Sequence, residues 1–216
     1  MFLKYYHVKL LDALLEHLLI VGLSVPVALF LSLPLGIWIS SRPRVARWVI
    51  YGSGILMTIP SLALFGIMVA LLSSFKLGLG LVPAVSAIAI YSLLPITRNT
   101  YIALNGVSQS IIEAATGVGL SKSQILWRVK MPLALPVIMA GVRLAVVMGV
   151  SVAAFASLVG AGGLGTFIFS GIARSNLMMV GAGAILVALL GIAANWILLS
   201  LERAITPKGL IVDENR

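Results

Sequence analysis

The 216-residue chain contains no cysteine. That absence excludes a disulfide framework, a thiol nucleophile and a cysteine-ligated metal. Charge is also scarce. Only 10% of the residues are charged and six are acidic, where a soluble domain carries roughly 25% charged residues. His7 and His17 form no metal-ligand set, so no metal site is expected. No Ser/His/Asp group is placed for hydrolysis. The pattern G-x-x-x-x-G-K-[ST] is missing, so no nucleotide is expected to bind by a P-loop. Gly and Pro number 21 and 9 but are scattered, which leaves no low-complexity linker.

What is present is apolar. Hydrophobic residues make up 61% of the chain, and the mean hydropathy is +1.15. A water-facing fold has no place for so much apolar surface. Soluble enzyme, disordered tail and nucleic-acid-binding domain are therefore poor readings, despite a net charge of +9. At about 20 residues per crossing, five membrane spans use roughly 100 residues. Short loops fit in the remainder; a second soluble domain does not.

The spans can be placed at about 18–39, 49–72, 81–96, 133–158 and 178–201. Together, residues 18–201 make one transmembrane domain. Residues 1–17 mix charged residues with Phe, Tyr and Leu, with no cleavage signal. They read as a separate helix lying in the membrane interface. Residues 202–216 read as a C-terminal tail. Ten Lys/Arg residues fall on one side: Arg42, Arg44, Arg47, Arg98, Lys122, Arg128, Lys130, Arg203, Lys208 and Arg216. Four fall on the other: Lys4, Lys9, Lys76 and Arg174. The richer side is expected in the cytoplasm, which puts the N-terminus outside and the C-terminus inside. Arg143 lies within the fourth span and is expected to snorkel to the boundary, with a buried pairing or a pore role as the alternatives.

Small residues recur every fourth position in two spans: Ser24, Ala28, Ser32, Gly36 and Ser40, and Gly141, Ala145, Gly149, Ala153 and Ser157. Such faces allow close helix approach, either within one bundle or at a subunit seam. Thr58, Pro60 and Ser61 lie near the middle of the second span, where Pro60 removes a backbone hydrogen bond. With Tyr91, Ser92, Ser151 and Phe155 they are candidates for a pore lining; a buried helix contact is the alternative. Residues 160–165, GAGGLG, satisfy G-x-G-x-x-G but follow a membrane helix and have no acid 20 residues on, so a dinucleotide site is rejected. Gly160, Gly162, Gly163 and Gly165 read instead as a flexible turn at the outer mouth, either a plain turn or part of an outer gate.

The polar stretch 98–130 is too long for an idle loop. Ser110 to Glu113 and Ser121 to Gln124 each fit a capping box, with Gly117 and Gly119 between them. The expectation is helix, glycine turn, helix, then membrane. The stretch EAATGVGLSKSQILWRVKMP (113–132) resembles the EAA signature of permease subunits in binding-protein-dependent ABC importers: E-A-A, three residues, Gly, nine residues, I-x-L-P. Here Val129 and Met131 stand for Ile and Leu.

The resemblance implies an all-α membrane protein with about five spans of the type I ABC importer permease (MetI-like) fold, and a cytoplasmic coupling helix between helices 3 and 4. It implies an ATPase-coupling role for Glu113, Ala114, Ala115, Gly119 and Lys122. The implied partners are two cytoplasmic ATPase subunits that bind ATP and Mg, a second permease copy or paralogue, and an extracytoplasmic substrate-binding protein. The setting is the lipid bilayer of a bacterial inner membrane. This chain would bind no nucleic acid, hold no cofactor and catalyse no covalent step. TIPSLALFG (58–66), LLPITRNTY (93–101) and SLVGAGGLG (157–165) resemble the branch that takes up osmoprotectants such as glycine betaine, carnitine or choline. Methionine or other amino-acid importers are the runner-up. A subunit of an ATP-independent secondary transporter and a purely structural membrane subunit are the rivals of a different class.

Overall fold

The computed structural model describes residues 2–206, with side chains from Tyr5 onward. Helix α1 spans Phe2–Ser40, α2 Pro43–Thr58, α3 Ser61–Ser73, α4 Leu81–Asn105 and α5 Gln109–Gly117. Helix α6, Lys122–Gln124, runs through a π-helical turn, Ile125–Lys130, into α7, Met131–Val152. A 3-10 turn, Ala153–Val159, ends that rod, and α8, Gly165–Ala173, and α9, Leu177–Ile205, complete the chain. Four stretches are long and apolar enough to cross a bilayer, and a fifth results if α2 and α3 count as one broken crossing.

Contacts between distant segments fix that count. The Gly80 N–H donates to the Val159 carbonyl at 2.7 Å, so the start of α4 meets the end of the 3-10 turn. At the opposite end of the bundle, Ser40 and Ser41 share a groove with Ile112 and Lys122. The α2–α3 pair therefore carries the chain from the end holding Ser40 to the end holding Gly80. It is a bent crossing rather than a re-entrant excursion.

Helix α4 is the axis. The two small-residue faces pack on it from α1 and α7. A Cβ added to Gly36 would lie 2.6 Å from the Thr100 Cβ, and one added to Gly141 would lie 2.5 Å from the Asn99 Cβ and 2.7 Å from the Pro95 carbonyl. Ser24, Ala28 and Ser32 are buried, as are Ala145 and Ala153. The Thr97 hydroxyl donates to the Ser32 carbonyl at 3.3 Å. Packing within one bundle thus accounts for both faces. Close approach allows dispersion and hydrogen bonding to hold helices together where lipid removes the hydrophobic drive.

Five features differ from the sequence expectation. First, residues 2–17 are not a separate interfacial helix but the opening turns of α1. At 1.5 Å per residue, the 39 residues of α1 make a rod of about 58 Å, against a hydrocarbon core of about 30 Å. Its first part packs on protein: Leu10 and Ala13 join Leu164, Phe167 and Met179 in one apolar cluster. Second, the run at 49–72 bends by 101°. Pro60 offers no N–H and pushes the residue before it out of the helical region, so both Ile59 (ψ 125°) and Pro60 (ψ 136°) are extended.

Third, α4 continues nine residues beyond the expected end at Ile96, carrying Arg98 and Asn99 inside a helix. Fourth, residues 165–173, expected as outer loop, form α8. It seats on α9 because Gly171 and Gly183 leave room: a Cβ there would meet Val180 at 2.7 Å or Ile168 at 2.8 Å. The tail expected over 202–216 is helical to Ile205, and residues 207–216 lie outside the described residues.

Candidate coupling loop and pathway face

The segment between α4 and α7 folds as helix, turn, helix. Helix α5 ends in a Schellman motif. The Leu120 N–H donates to the Ala115 carbonyl at 3.1 Å and the Gly119 N–H to the Thr116 carbonyl at 2.9 Å. Gly119 takes φ +84°, the left-handed conformation that closes the motif. Nothing lies within 4 Å of where its Cβ would be. The need for glycine there is conformational, not steric.

Ser121 forms the full capping box. Its Oγ accepts from the Gln124 N–H at 3.3 Å, and the Gln124 Oε1 accepts from the Ser121 N–H at 2.8 Å. The box expected at Ser110 does not form. Helix α5 starts earlier, with Ser108 as N-cap and no side-chain cap. Ser110 bonds the Ser108 hydroxyl at 2.7 Å, and Glu113 accepts from Gln109 Nε2 at 3.3 Å.

Glu113, Ala114, Gly119 and Lys122 are exposed, as is Val118, while Ala115 is buried against the bundle. The hairpin therefore presents one face outward and anchors the other. Its anchor leads to Ile125, buried in the π-helical turn. That turn widens the backbone just ahead of Pro132, whose ring would otherwise clash with the carbonyl four residues back. From α6 to Val152 the helix is unbroken. The hairpin and α7 are thereby joined by continuous helix.

The candidate pathway residues divide. Thr58 and Pro60 are exposed at the elbow and Ser61 is half-buried. Ser151 is exposed on α7, and Phe155 is half-buried between Phe65 and Phe169, at 6.4 and 5.7 Å between ring centres. Tyr91 and Ser92 are buried inside the chain and line no open face. The Tyr91 hydroxyl donates to the Ile59 carbonyl, and the Ser92 hydroxyl to the Ile88 carbonyl at 2.9 Å. Beside the elbow runs a groove of about 350 Å³ between Met57 of α2, Leu94, Arg98 and Asn99 of α4, and Leu144 and Met148 of α7. Sequence reading missed Arg98 and Asn99 as part of this face because it counted them as loop. The available signal was the four-residue step from Leu94 to Arg98 and on to Ile102, which keeps one helical face.

At the other end, the glycine segment is tied to α1. Gly160, Gly162 and Gly163 have φ of +82°, +78° and +86°. The Gly163 N–H donates to Glu16 Oε2 at 2.8 Å. The buried His17 places Nε2 3.0 Å from the Val150 carbonyl. Gly165 sits so close to the 3-10 turn that a Cβ would fall 1.8 Å from the Ala154 carbonyl oxygen. Arg143 is paired: its guanidinium lies 3.3 Å from Glu202 Oε2, with both side chains largely buried. That ion pair ties α7 to α9, so pairing rather than snorkelling describes Arg143.

Comparison with known proteins identifies this geometry. Residues 32–207 match the family described as binding-protein-dependent transport system inner membrane component. The osmoprotectant import permease protein OsmW of Salmonella typhimurium is 44% identical over 195 residues, covering 90% of this chain and 91% of the relative. The carnitine transport permease protein OpuCB of Listeria monocytogenes is 38% identical over 195 residues, covering 90% and 87%. The glycine betaine/carnitine/choline transport system permease protein OpuCB of Bacillus subtilis is 37% identical over 195 residues, covering 90% and 88%. A solved chain of the MetNI methionine ABC transporter, in an inward-facing conformation, superposes with a TM-score of 0.84 over 94% of this chain and 99% of that chain. At 23% identity, that likeness concerns the fold alone. The chain belongs to the family of inner membrane components of binding-protein-dependent transport systems.

Proposed function

We propose that this chain is the permease subunit of an ABC importer for small osmoprotectants of the glycine betaine, carnitine and choline class. Two permeases, copies or paralogues, enclose a pathway and sit on two ATPase subunits that bind ATP and Mg. An extracytoplasmic binding protein delivers the solute. Closure of the ATPases pulls α5, the π-helical turn passes the movement to α7, and the pathway alternates between inward and outward states. The outward face of the hairpin, Glu113 and Ala114 of α5 with Lys122 at the start of α6, meets the ATPase, and Gly119 is the hinge. The end holding Ser40 and Lys122 is cytoplasmic, as the ten-to-four split of basic residues requires.

One observation carries the reading. The E-A-A segment lies on an exposed helix that a left-handed glycine and a capping box join to an unbroken rod through the membrane. The relatives whose names specify osmoprotectants support the solute class. The methionine reading is less favoured, since its support is a shared fold at 23% identity. Membership of a binding-protein-dependent family speaks against an ATP-independent carrier.

The test is reconstitution with a cognate ATPase and binding protein. ATP-dependent uptake of labelled glycine betaine, carnitine or choline supports the reading, and methionine uptake in their place overturns it. In the cysteine-free background, a cysteine at Ser74 should react with an impermeant reagent from outside and one at Ser121 should not. The reverse pattern overturns the orientation.

A further inference from the structure

Helix α4 carries a positive charge that no ion pair or hydrogen bond among the described residues uses. Arg98 lies seven residues before the end of α4, about 10 Å inside it at 1.5 Å per residue. Its side chain is exposed and forms no ion pair or hydrogen bond among the described residues. Near the end of a membrane helix a charged side chain turns to the interface, to water or to an anion, because lipid solvates it poorly. Here it borders the groove between Met57, Leu144 and Met148.

Among the described residues, no acid reaches it as a structural partner. Asp12 and Glu16 belong to the opposite end of the bundle, with Glu16 on Gly163. Glu113 is on exposed α5 with Gln109, and Glu202 is on Arg143. Asp213 and Glu214 lie outside the described residues. Beside Arg98, the amide nitrogen of Asn99 is turned away, donating to the Pro95 carbonyl at 2.7 Å. The groove therefore offers one guanidinium fork, suited to bidentate pairing with a carboxylate, and two polarisable methionine thioethers on its walls. It contains no carboxylate to attract an ammonium group.

We propose that Arg98 is a carboxylate-binding station on the solute path, so that the permease handles carboxylated solutes differently from choline. The inference rests on the compatible-solute reading above and adds a specificity-determining residue to it. Arg98 holds the carboxylate of a betaine as it passes the elbow, and choline, with a hydroxyl in that position, passes without it.

The test uses the complete importer, permease with ATPase and binding protein, in proteoliposomes. Uptake of labelled glycine betaine, carnitine and choline is compared for wild type, Arg98→Gln and Arg98→Lys, after checking membrane insertion and assembly. Arg98→Gln is expected to lower uptake of the carboxylated solutes relative to choline by about tenfold or more, equivalent to about 1.4 kcal/mol. Arg98→Lys should recover most of the loss, and hydrolysis stimulated by loaded binding protein should persist in both. An equal fall for all three solutes, complete loss included, overturns the inference and makes Arg98 a structural, lipid or subunit contact. Uptake of choline alone by wild type also overturns it. If wild type takes up only carboxylated solutes, retained uptake by Arg98→Gln, or loss of hydrolysis together with uptake, overturns it. If wild type moves none of the three, the compatible-solute reading itself has failed.

Discussion

The Tyr91 hydroxyl of α4 donates its hydrogen bond to the carbonyl of Ile59, the residue that turns the second crossing through 101°. Pro60 and the extended Ile59 leave that carbonyl without a helical partner, and Tyr91, 32 residues away, supplies one. A bare carbonyl at this depth would be costly, so the elbow and Tyr91 form one unit. Tyr91→Phe keeps the ring among Phe65, Ile88 and Ile20 but removes the donor. It should destabilise the protein by about 1 kcal/mol, the net worth of a half-buried hydrogen bond. Thermal unfolding in detergent should show a lower midpoint than wild type. An unchanged midpoint would mean that the carbonyl finds water instead.

The small-residue faces make a second quantitative claim. Gly141→Ala places a methyl group 2.5 Å from the Asn99 Cβ and 2.7 Å from a backbone carbonyl. Separating α4 from α7 by the needed amount should cost about 1–3 kcal/mol. Gly22→Ala, with nothing within 4 Å, should be neutral or stabilising, since alanine is the better helix former by about 1 kcal/mol. Comparing the two variants by unfolding midpoint separates interhelical packing from glycine content in general. Equal effects would contradict the close approach.

The third prediction concerns the end opposite the coupling hairpin. Glu16→Ala removes the acceptor for the Gly163 N–H. Amide exchange of residues 160–165 should then quicken, while that of 113–124, at the far end of the bundle, should not change. Unchanged exchange at 160–165 would mean that His17 and packing alone hold the segment.

Much of this was legible in the sequence, and the exceptions share a cause. Apolar length marked the crossings, fourfold spacing marked the α1–α4–α7 seams, and glycine and serine chemistry marked Gly119 and Ser121. These are local properties of the chain. Composition gives the length of the run at 49–72 but not its direction, since the bend depends on a hydrogen bond from Tyr91. The helix at Arg98–Asn105 looked like loop because its polar residues were counted against it. In the fold, Arg98 apart, such groups are satisfied locally: Asn99 bonds the Pro95 carbonyl at 2.7 Å, Thr100 the Ile96 carbonyl at 2.8 Å and Asn105 the Tyr101 carbonyl at 3.0 Å. Helix α8 has nine residues, too few to be stable alone, and exists because α9 offers it a glycine-lined seat. The Ser110 box failed because Ser108, two residues earlier, starts the helix.

The coupling hairpin is the centre of the account, and Gly119→Val tests it most directly. Its φ of +84° is poorly tolerated by a β-branched residue, at about 1–3 kcal/mol. With no atom within 4 Å of the added Cβ position, the strain falls on the backbone turn that sets the direction of α5. The measurement is simultaneous solute uptake and ATP hydrolysis by the reconstituted importer, with Ser74→Ala at the other end as control. The account predicts that Gly119→Val inserts and assembles normally, loses most uptake, and hydrolyses ATP without transport, while Ser74→Ala behaves as wild type. Normal uptake coupled to hydrolysis in Gly119→Val, at normal abundance, would contradict the assignment of this hairpin as the element that transmits ATPase movement to the membrane helices.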